Sequence, residues 1–303
     1  MTKHCVALDI GGTKIRGAII DTQGVMVAAN TVPTNAHGGR DAMLAQLHAS
    51  IEALLVSAAL PASTIRHCGI SSAGVIDPHR AIVLGASDAM PGWVGVDFRA
   101  ELGVRHGWHV VADNDVNCAL IGERWRGVIA ETPATGIVVM MTLGTGLGGA
   151  LMIDGQLIRG RHFLTGHIGY NLVWDHDENR HVHAERFASG NGLGVIDARL
   201  RRGNLSSGRE VIARLMQGDA FAQQALAQWQ DAISIQLQNI HWLLDPAQVI
   251  IGGGMIDVRE YWWPGLVARL RAVSADLEII PAMLGNDAGV YGAAKLAWES
   301  GGA

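Results

Sequence analysis

The sequence predicts an α/β protein built from two lobes. Apolar, strand-like runs alternate with amphipathic helical segments along the chain, which is the pattern of α/β folds. A strand, a glycine–threonine turn and a second strand occur near residue 10 and again near residue 144. A chain of 303 residues is long enough for two domains, since domains cluster near about 100–150 residues. We therefore expect one copy of this turn in each lobe.

The first half of the chain predicts a β-meander, a helix and two further strands. The meander strands lie at 5–10, 15–21 and 25–29. A helix at 41–58 follows, because leucine and isoleucine recur there on one helical face. The next strand ends in the small-residue turn SSAG at 71–74, and the last leads through a polar turn at 113–118 into a second helix.

The second half repeats the meander and adds a long helix. Residues 137–158 again alternate apolar strands with a glycine–threonine turn and an aspartate–glycine turn, which indicates an ancient duplication. The spacing of apolar residues predicts a helix over 219–244, and we assign its Trp242 to the core. A buried strand then ends in three glycines at 252–254, and a glycine-rich turn opens a helix near the end of the sequence.

Composition and charge restrict the class of protein. The net charge of −5 argues against a dedicated nucleic-acid or anionic-membrane surface. The three cysteines are scattered and unpaired in pattern, which is typical of free thiols in a reducing compartment. No leader pattern and no apolar run of about 20 residues occurs. We expect a cytoplasmic protein that binds neither nucleic acid nor membrane.

The glycine turns are candidate phosphate-binding loops. A single glycine turn often only reverses a hairpin, but backbone N–H groups in such turns also form concavities that bind anions. Two turns of the same design, with the hydroxyls of Thr13 and Thr145, predict a grip on a polyphosphate from both lobes. Asp9 at the tip of the first strand is placed to hold the water shell of Mg²⁺. The glycines at 252–254 offer a flat backbone surface for an adenosine.

The polar turn at 113–118 has two interpretations that the residues leave open. Asn114, Asp115 and Asn117 are typical of a helix cap. The same turn would supply a general base and its neighbouring amides for a hydroxyl acceptor.

Four motifs in this order, DIGGTK, LGTGLGG, VIIGGGM and GNDAGVYGAA, resemble the ROK family of bacterial sugar kinases and repressors, from residue 5 to about 297. The resemblance implies a two-lobed, actin-like ATPase fold (ribonuclease H-like) with duplicated β-hairpin phosphate motifs and an interlobe cleft. It divides the chain into a small α/β lobe, 1–118 with the helix 286–303, and a large α/β lobe, 119–285.

The activity that the resemblance implies is transfer of phosphate from ATP to the 6-hydroxyl of a hexose or N-acetylhexosamine. Asp115 would be the catalytic base, and Asp9 would organise Mg²⁺ through water. The residues implied to contact the sugar are Gly74, Asn114, Asp115, His167 and Glu185. The residues implied to contact ATP are Asp9, Gly11, Gly12, Thr13, Lys14, Gly144, Thr145, Gly146, Gly253 and Gly254.

The sequence departs from the family pattern at a metal site. Family kinases usually carry a glutamate where His167 stands and a zinc-binding histidine where Tyr170 stands. The cysteine-rich zinc loop is replaced by HDENRHVHAE, in which His176, Glu178 and His183 align with the cysteines. We expect a polar loop there and no zinc.

The substrate stays open between members of the family. GHIGY at 166–170 resembles N-acetylmannosamine kinases at His167 and β-glucoside kinases at Tyr170. We favour N-acetylmannosamine, with glucokinase or β-glucoside kinase activity as the alternative. A catalytically inactive sugar sensor or ROK regulator is the alternative of another class. The family also implies a homodimer.

Overall fold

The computed structural model describes residues 3–273 and 277–300. Its strands are β1 His4–Ile10, β2 Lys14–Asp21, β3 Met26–Pro33, β4 His67–Ser72, β5 Val75–Asp77, β6 Ile82–Gly85, β7 His109–Asn114, β8 Ile137–Leu143, β9 Leu147–Ile153, β10 Gln156–Ile158, β11 Leu172–Asp175, β12 Arg180–His183, β13 Gln248–Gly252 and β14 Ile279–Pro281. Its α-helices are α1 Gly39–Ser57, α2 Asp115–Arg126, α3 Glu185–Ala188, α4 Gly190–Arg201, α5 Gly208–Leu215, α6 Ala220–Leu244, α7 Trp263–Val273 and α8 Ala288–Ser300.

The chain divides into two compact units. Unit 1 contains residues 1–132, 161–163 and 286–303, and unit 2 contains 133–160 and 164–285. The boundary expected from the sequence, between 118 and 119, falls inside helix α2. Unit 1 keeps this helix whole, since α2 packs along α8.

Each unit contains a five-stranded sheet of the same design. In unit 1 the order is β3-β2-β1-β4-β7, with an antiparallel meander extended by the parallel strands β4 and β7. In unit 2 the order is β10-β9-β8-β13-β14, again a meander extended by two parallel strands. The predicted α/β class and the predicted repeat of the meander are therefore confirmed.

Unit 1 buries apolar side chains on both faces of its sheet. One face packs on α1 through Met43, Leu47, Ile51 and Leu54, and the other packs on α8, where small alanines allow close approach. Burial of such apolar surface is the main force that holds the strand ends in place.

The core of unit 2 forms around α6. Trp229, Ile233 and Leu237 recur on its buried face, and Trp229 meets Trp262 edge to face with ring centroids 5.5 Å apart. The prediction that Trp242 is a core residue is wrong, since its side chain is 76% exposed. Trp242 lies two residues beyond buried Ile240, which rotates it to the solvent side of the helix.

No helix among residues 3–273 and 277–300 has both the length and the apolar composition needed to cross a membrane.

Candidate active site

The parallel strands of unit 1 carry polar residues in register where they end. Asp9 on β1 is level with Ser71 on β4, and Ser71 is level with Asp113 on β7. Paired residues of neighbouring strands point to the same face of a sheet, so the three side chains form a polar row. The Ser71 hydroxyl donates a hydrogen bond to Oδ1 of Asp9.

Asn114 fixes the turn between β7 and α2. Its Oδ1 accepts hydrogen bonds from the backbone N–H groups of Val116 (2.9 Å) and Asn117 (3.2 Å), so it is the N-cap of α2. Its Nδ2 donates to Oδ1 of Asp115 at 2.8 Å and to the carbonyl of Gly74, also at 2.8 Å. The helix-cap interpretation is therefore confirmed, and the same side chain orients the candidate base.

Asp115 lies partly buried at the start of α2. Its Oδ1 also accepts from the backbone N–H of Val116 at 3.0 Å. Burial, together with the negative charge of Asp9, raises the pKa of Asp115 to about 7. Burial likewise raises the pKa of Asp9 to about 6, against the opposing influence of Ser71 and Lys14. Both carboxyl groups thus have pKa values well above their usual range.

Gly74 needs to be glycine for two reasons. Its φ of +106° is a conformation that side chains rarely adopt, and an added Cβ would lie 2.2 Å from the carbonyl oxygen of Gly85. Glycine at this position allows the SSAG turn to form, and the hydrogen bond from Nδ2 of Asn114 to the carbonyl of Gly74 holds the turn beside Asp115.

The first glycine turn is closed by its own backbone. The N–H of Gly11 donates to the carbonyl of Lys14 at 3.0 Å, and Thr34 binds the carbonyls of Gly11 and Thr13. The side chains of Thr13 and Lys14 are exposed, and Lys14 Nζ donates to Oδ1 of Asn286 at 2.6 Å. An added Cβ at Gly12 would lie 3.3 Å from that of Ala89.

The N-terminal turn of α8 packs directly on Asp9. A Cβ added to Gly289 would lie 2.5 Å from Cγ of Asp9 and 2.7 Å from both of its carboxylate oxygens. The absence of a side chain at Gly289 is thus what leaves room for this carboxylate.

The second glycine turn, in unit 2, is surrounded by close backbone contacts. The N–H of Gly144 donates to the carbonyl of Gly146 at 3.1 Å, and Gly190 at the start of α4 donates to the carbonyl of Gly144 at 2.8 Å. Oε2 of Glu185 lies beside Gly146, 2.8 Å from where a Cβ would stand. Thr145 is exposed. Glu185 and the predicted phosphate turn are therefore neighbours.

The glycines that follow β13 lie against the end of β8, next to the second glycine turn. Gly253 has a φ of +85°, and a Cβ on it would lie 2.5 Å from the carbonyl oxygen of Leu143. Gly253 and Gly254 are both exposed. The backbone at Gly253 therefore lies directly against the end of β8.

His167 lies in a segment that glycines hold against β9. A Cβ at Gly166 would lie 2.5 Å from the carbonyl oxygen of Gly149, and one at Gly169 would lie 2.2 Å from that of Leu147. Burial lowers the pKa of His167 and so favours the neutral form of the ring. Its ring centroid is 6.2 Å from that of Tyr170.

The expected polar loop is part of a β-hairpin, β11–β12: residues 176–179 form its turn, whereas 180–183 are strand β12, where the prediction of a loop is wrong. The strands pair in register from Leu172 with His183 to Asp175 with Arg180. Glu178 is bound by Arg180 and Arg186, and His183 lies against Tyr170 with ring centroids 4.8 Å apart. Within residues 3–273 and 277–300, no three His, Cys, Asp or Glu side chains are grouped as metal ligands. The absence of zinc stays a prediction.

Sequence reasoning missed three residues of these sites. Ser71 was recognised only as part of a small-residue turn, although a polar residue ending a parallel strand is a usable signal. Gly289 carried the signal of a glycine inside a helical pattern. Asp175, the last residue of β11, is buried and binds Arg199 of α4, and it carried no signal, because an acid in a polar segment is usually a solvated surface residue.

The duplicated sheets and their glycine turns define the class of the fold, that of the actin-like ATPases. The chain belongs to the ROK family, whose family model matches residues 5–300. It is similar to the β-glucoside kinase of Klebsiella pneumoniae, with 29% identity over 95% of this chain and 93% of the relative. It is equally similar to an N-acetyl-D-glucosamine kinase of Shigella boydii, with 29% identity over 95% and 97%. A ROK family glucokinase of Streptomyces griseus, solved with glucose and AMPPNP, matches 98% of this chain and 99% of its own with 25% identity and a TM-score of 0.79.

Proposed function

We propose that this protein is an ATP-dependent sugar kinase that phosphorylates the 6-hydroxyl of a hexose or N-acetylhexosamine. The observation that carries the proposal is the Asp115 carboxyl, which Asn114 orients and whose pKa is raised to about 7. A general base is most effective when its pKa lies near the working pH. Phosphoryl transfer otherwise needs mainly positioning and neutralisation of charge, which the glycine turns and Asp9 are suited to supply.

In this mechanism Asp115 takes the proton of the attacking hydroxyl. Oδ1 of Asp115 is engaged by Asn114 and Val116, whereas Oδ2 accepts no hydrogen bond from any residue in the described ranges. Oδ2 is therefore the oxygen assigned to the proton. We assign the sugar contacts to Gly74, Asn114, His167 and Glu185.

The residues present fit a magnesium ion held through water. Mg²⁺ in kinases is usually bound by one or two carboxylates together with waters and substrate phosphates, and Asp9 offers one partly buried carboxylate fixed by Ser71. When bound, Mg²⁺ neutralises charge on the phosphates of ATP. We assign the nucleotide to Gly11, Gly12, Thr13, Lys14, Gly144, Thr145, Gly146, Gly253 and Gly254.

N-Acetylmannosamine is the acceptor that we favour, because His167 stands in the segment GHIGY. Glucose, β-glucosides and N-acetylglucosamine are the competing acceptors, since relatives are named for them. The alternative of another class, an inactive sugar sensor, predicts binding without turnover. The homodimer and the cytoplasmic location stay predictions.

A coupled assay of ADP release over a panel of these sugars tests the proposal, with calorimetry of sugar binding in parallel. We expect ADP release that depends on one of the sugars. Tight sugar binding with no ADP release above the sugar-free rate would favour the sensor and contradict the kinase.

A further inference from the structure

We propose that an ion-pair cluster in unit 2 positions the two side chains assigned to the sugar there, His167 and Glu185. The cluster, called here the Asp175 cluster, consists of Asp175, Glu178, Arg186 and Arg199. The inference rests on the proposed function for its link to sugar, whereas the structural part of the proposal is tested independently below.

The β11–β12 hairpin connects the two side chains in the chain. His167 precedes the short turn Ile168–Tyr170 that leads into β11, and Glu185 opens α3 two residues after β12 ends. The backbone N–H of Ala184 donates to the carbonyl of Asn171 at 2.7 Å and closes the open end of the hairpin. The position of the hairpin therefore determines the backbone positions of His167 and Glu185.

Asp175 joins the hairpin to helix α4. Its side chain is fully buried, and it binds Arg199 in a bidentate pair, Nη1 to Oδ1 at 2.9 Å and Nη2 to Oδ2 at 2.6 Å. Oδ1 also accepts the backbone N–H groups of Asp177 (3.1 Å) and Glu178 (3.3 Å), which shapes the turn between the strands. Bidentate arginine–carboxylate pairs are among the most geometrically specific polar contacts in proteins.

Arg186, the neighbour of Glu185 in the chain, connects Glu185 to the cluster. Nε of Arg186 lies 3.5 Å from Oδ2 of Asp175, and its Nη2 pairs with Glu178. Glu185 itself has no ion pair among residues 3–273 and 277–300, and Nδ1 of His167 has no hydrogen-bond partner there. The placement of Glu185 thus follows the backbone that the cluster holds, and that of His167 follows the same hairpin together with the close contacts of Gly166 and Gly169 to β9.

The chain offers a matched control for this cluster. Asp197 on α4 is also fully buried and pairs with two arginines, Arg201 at 2.9 Å and Arg214 at 2.5 Å. Its partners lie on α4 and α5, and none lies on the hairpin. Removing either buried carboxylate takes a buried partner from two arginines and destabilises the fold, although Arg199 keeps Asp177 and Glu178 and Arg201 keeps Asp219. The two variants therefore separate positioning from general stability.

The experiment compares Asp175→Asn with Asp197→Asn at a temperature well below both melting temperatures. We expect Asp175→Asn to raise KM for the sugar at least tenfold, with KM for ATP changed less than twofold. Asp197→Asn is expected to leave both KM values within twofold. An unchanged sugar KM in Asp175→Asn, or an equal rise in Asp197→Asn, would overturn the proposal.

A second variant and a second readout cover loss of folding or of turnover. Arg186→Gln keeps the buried Asp175–Arg199 pair and is expected to raise the sugar KM about threefold or more. Hydrogen–deuterium exchange, which needs no substrate, is expected to be faster at 167–170 and 183–188 in Arg186→Gln and Asp175→Asn than in Asp197→Asn. If no sugar is turned over, the proposed function fails, but the exchange comparison still tests whether the Asp175 cluster holds these segments in place. Equal protection from exchange in all variants would refute the positioning role.

Discussion

At Asp115 the requirements of chemistry and of stability oppose each other. An aspartate in an unfolded chain has a pKa near about 3.9, whereas burial beside Asp9 raises the pKa of Asp115 to about 7 in the folded protein. Between about pH 4 and pH 7 the folded state keeps a proton that the unfolded chain releases. The stability contributed by protonated Asp115 is therefore lost as the pH rises through this window.

Asp115→Asn is accordingly expected to be more stable than the wild type at high pH. The amide carries no charge at any pH, so the gain in melting temperature should grow from pH 5 to pH 8 and reach a few degrees. Differential scanning calorimetry across this range measures it. A difference in melting temperature that stays constant with pH would contradict the raised pKa.

Gly289 gives a second prediction at the residue scale. Alanine favours a helix over glycine by about 1 kcal/mol, but its Cβ at Gly289 would stand 2.5 Å from Cγ of Asp9 and displace the carboxylate. We expect Gly289→Ala to lose at least tenfold in kcat, with a raised Mg²⁺ requirement and little change in melting temperature.

Gly292 on the same helix is the contrasting position. A Cβ there would lie 1.7 Å from the backbone carbonyl of Cys118, so Gly292→Ala should separate α8 from α2 and lose about 1–3 kcal/mol of stability or more, the usual cost of overpacking with backbone shifts. For Gly289→Ala, a large loss of stability with an unchanged kcat per folded molecule would contradict the role of Gly289 in leaving room for the Asp9 carboxylate.

At the scale of elements, the SSAG turn after β4 depends on Gly74. Gly74→Ala combines an unfavourable φ of +106° with a contact to the carbonyl of Gly85, whereas Gly95→Ala has a φ of +85° and no atom within 4 Å. We expect Gly95→Ala to cost about 1 kcal/mol in the free energy of unfolding and Gly74→Ala at least twice that. Urea unfolding of both variants measures the difference, and equal losses would show that the close contact does not matter.

The secondary-structure elements also show which parts of the fold can be predicted from the sequence. The β-meander, α1 and α6 follow from regular apolar spacing, and the structure has them within a few residues of the predicted bounds. The β11–β12 hairpin was not predicted, because its order comes from Arg199 and Arg186 binding Asp175 rather than from apolar alternation. Contacts between distant charged residues leave no local period in a sequence.

At the scale of the whole molecule, the duplication was predictable because both glycine turns stand between apolar strands. The α/β class followed from the alternation of apolar strands with amphipathic helices, and the family followed from four glycine-rich motifs in order. The Trp242 prediction failed because helix length alone does not tell which face a residue takes, and Trp242 lies off the stripe of Trp229, Ile233 and Leu237. The sugar could not be predicted in the same way, because no local pattern reveals the partners of a side chain such as His167, which we assign to the sugar.

We propose transfer of phosphate from ATP to a sugar hydroxyl with Asp115 as the base. Phosphorus NMR of the products, with wild type and Asp115→Ala under the same ATP, Mg²⁺ and sugar, tests it most directly. We expect a phosphate ester on the 6-oxygen of the sugar and a rate lower by about 10²–10⁴-fold in the variant, the usual contribution of a general base. Inorganic phosphate without a sugar ester, or ester formed at an undiminished rate by Asp115→Ala, would contradict it.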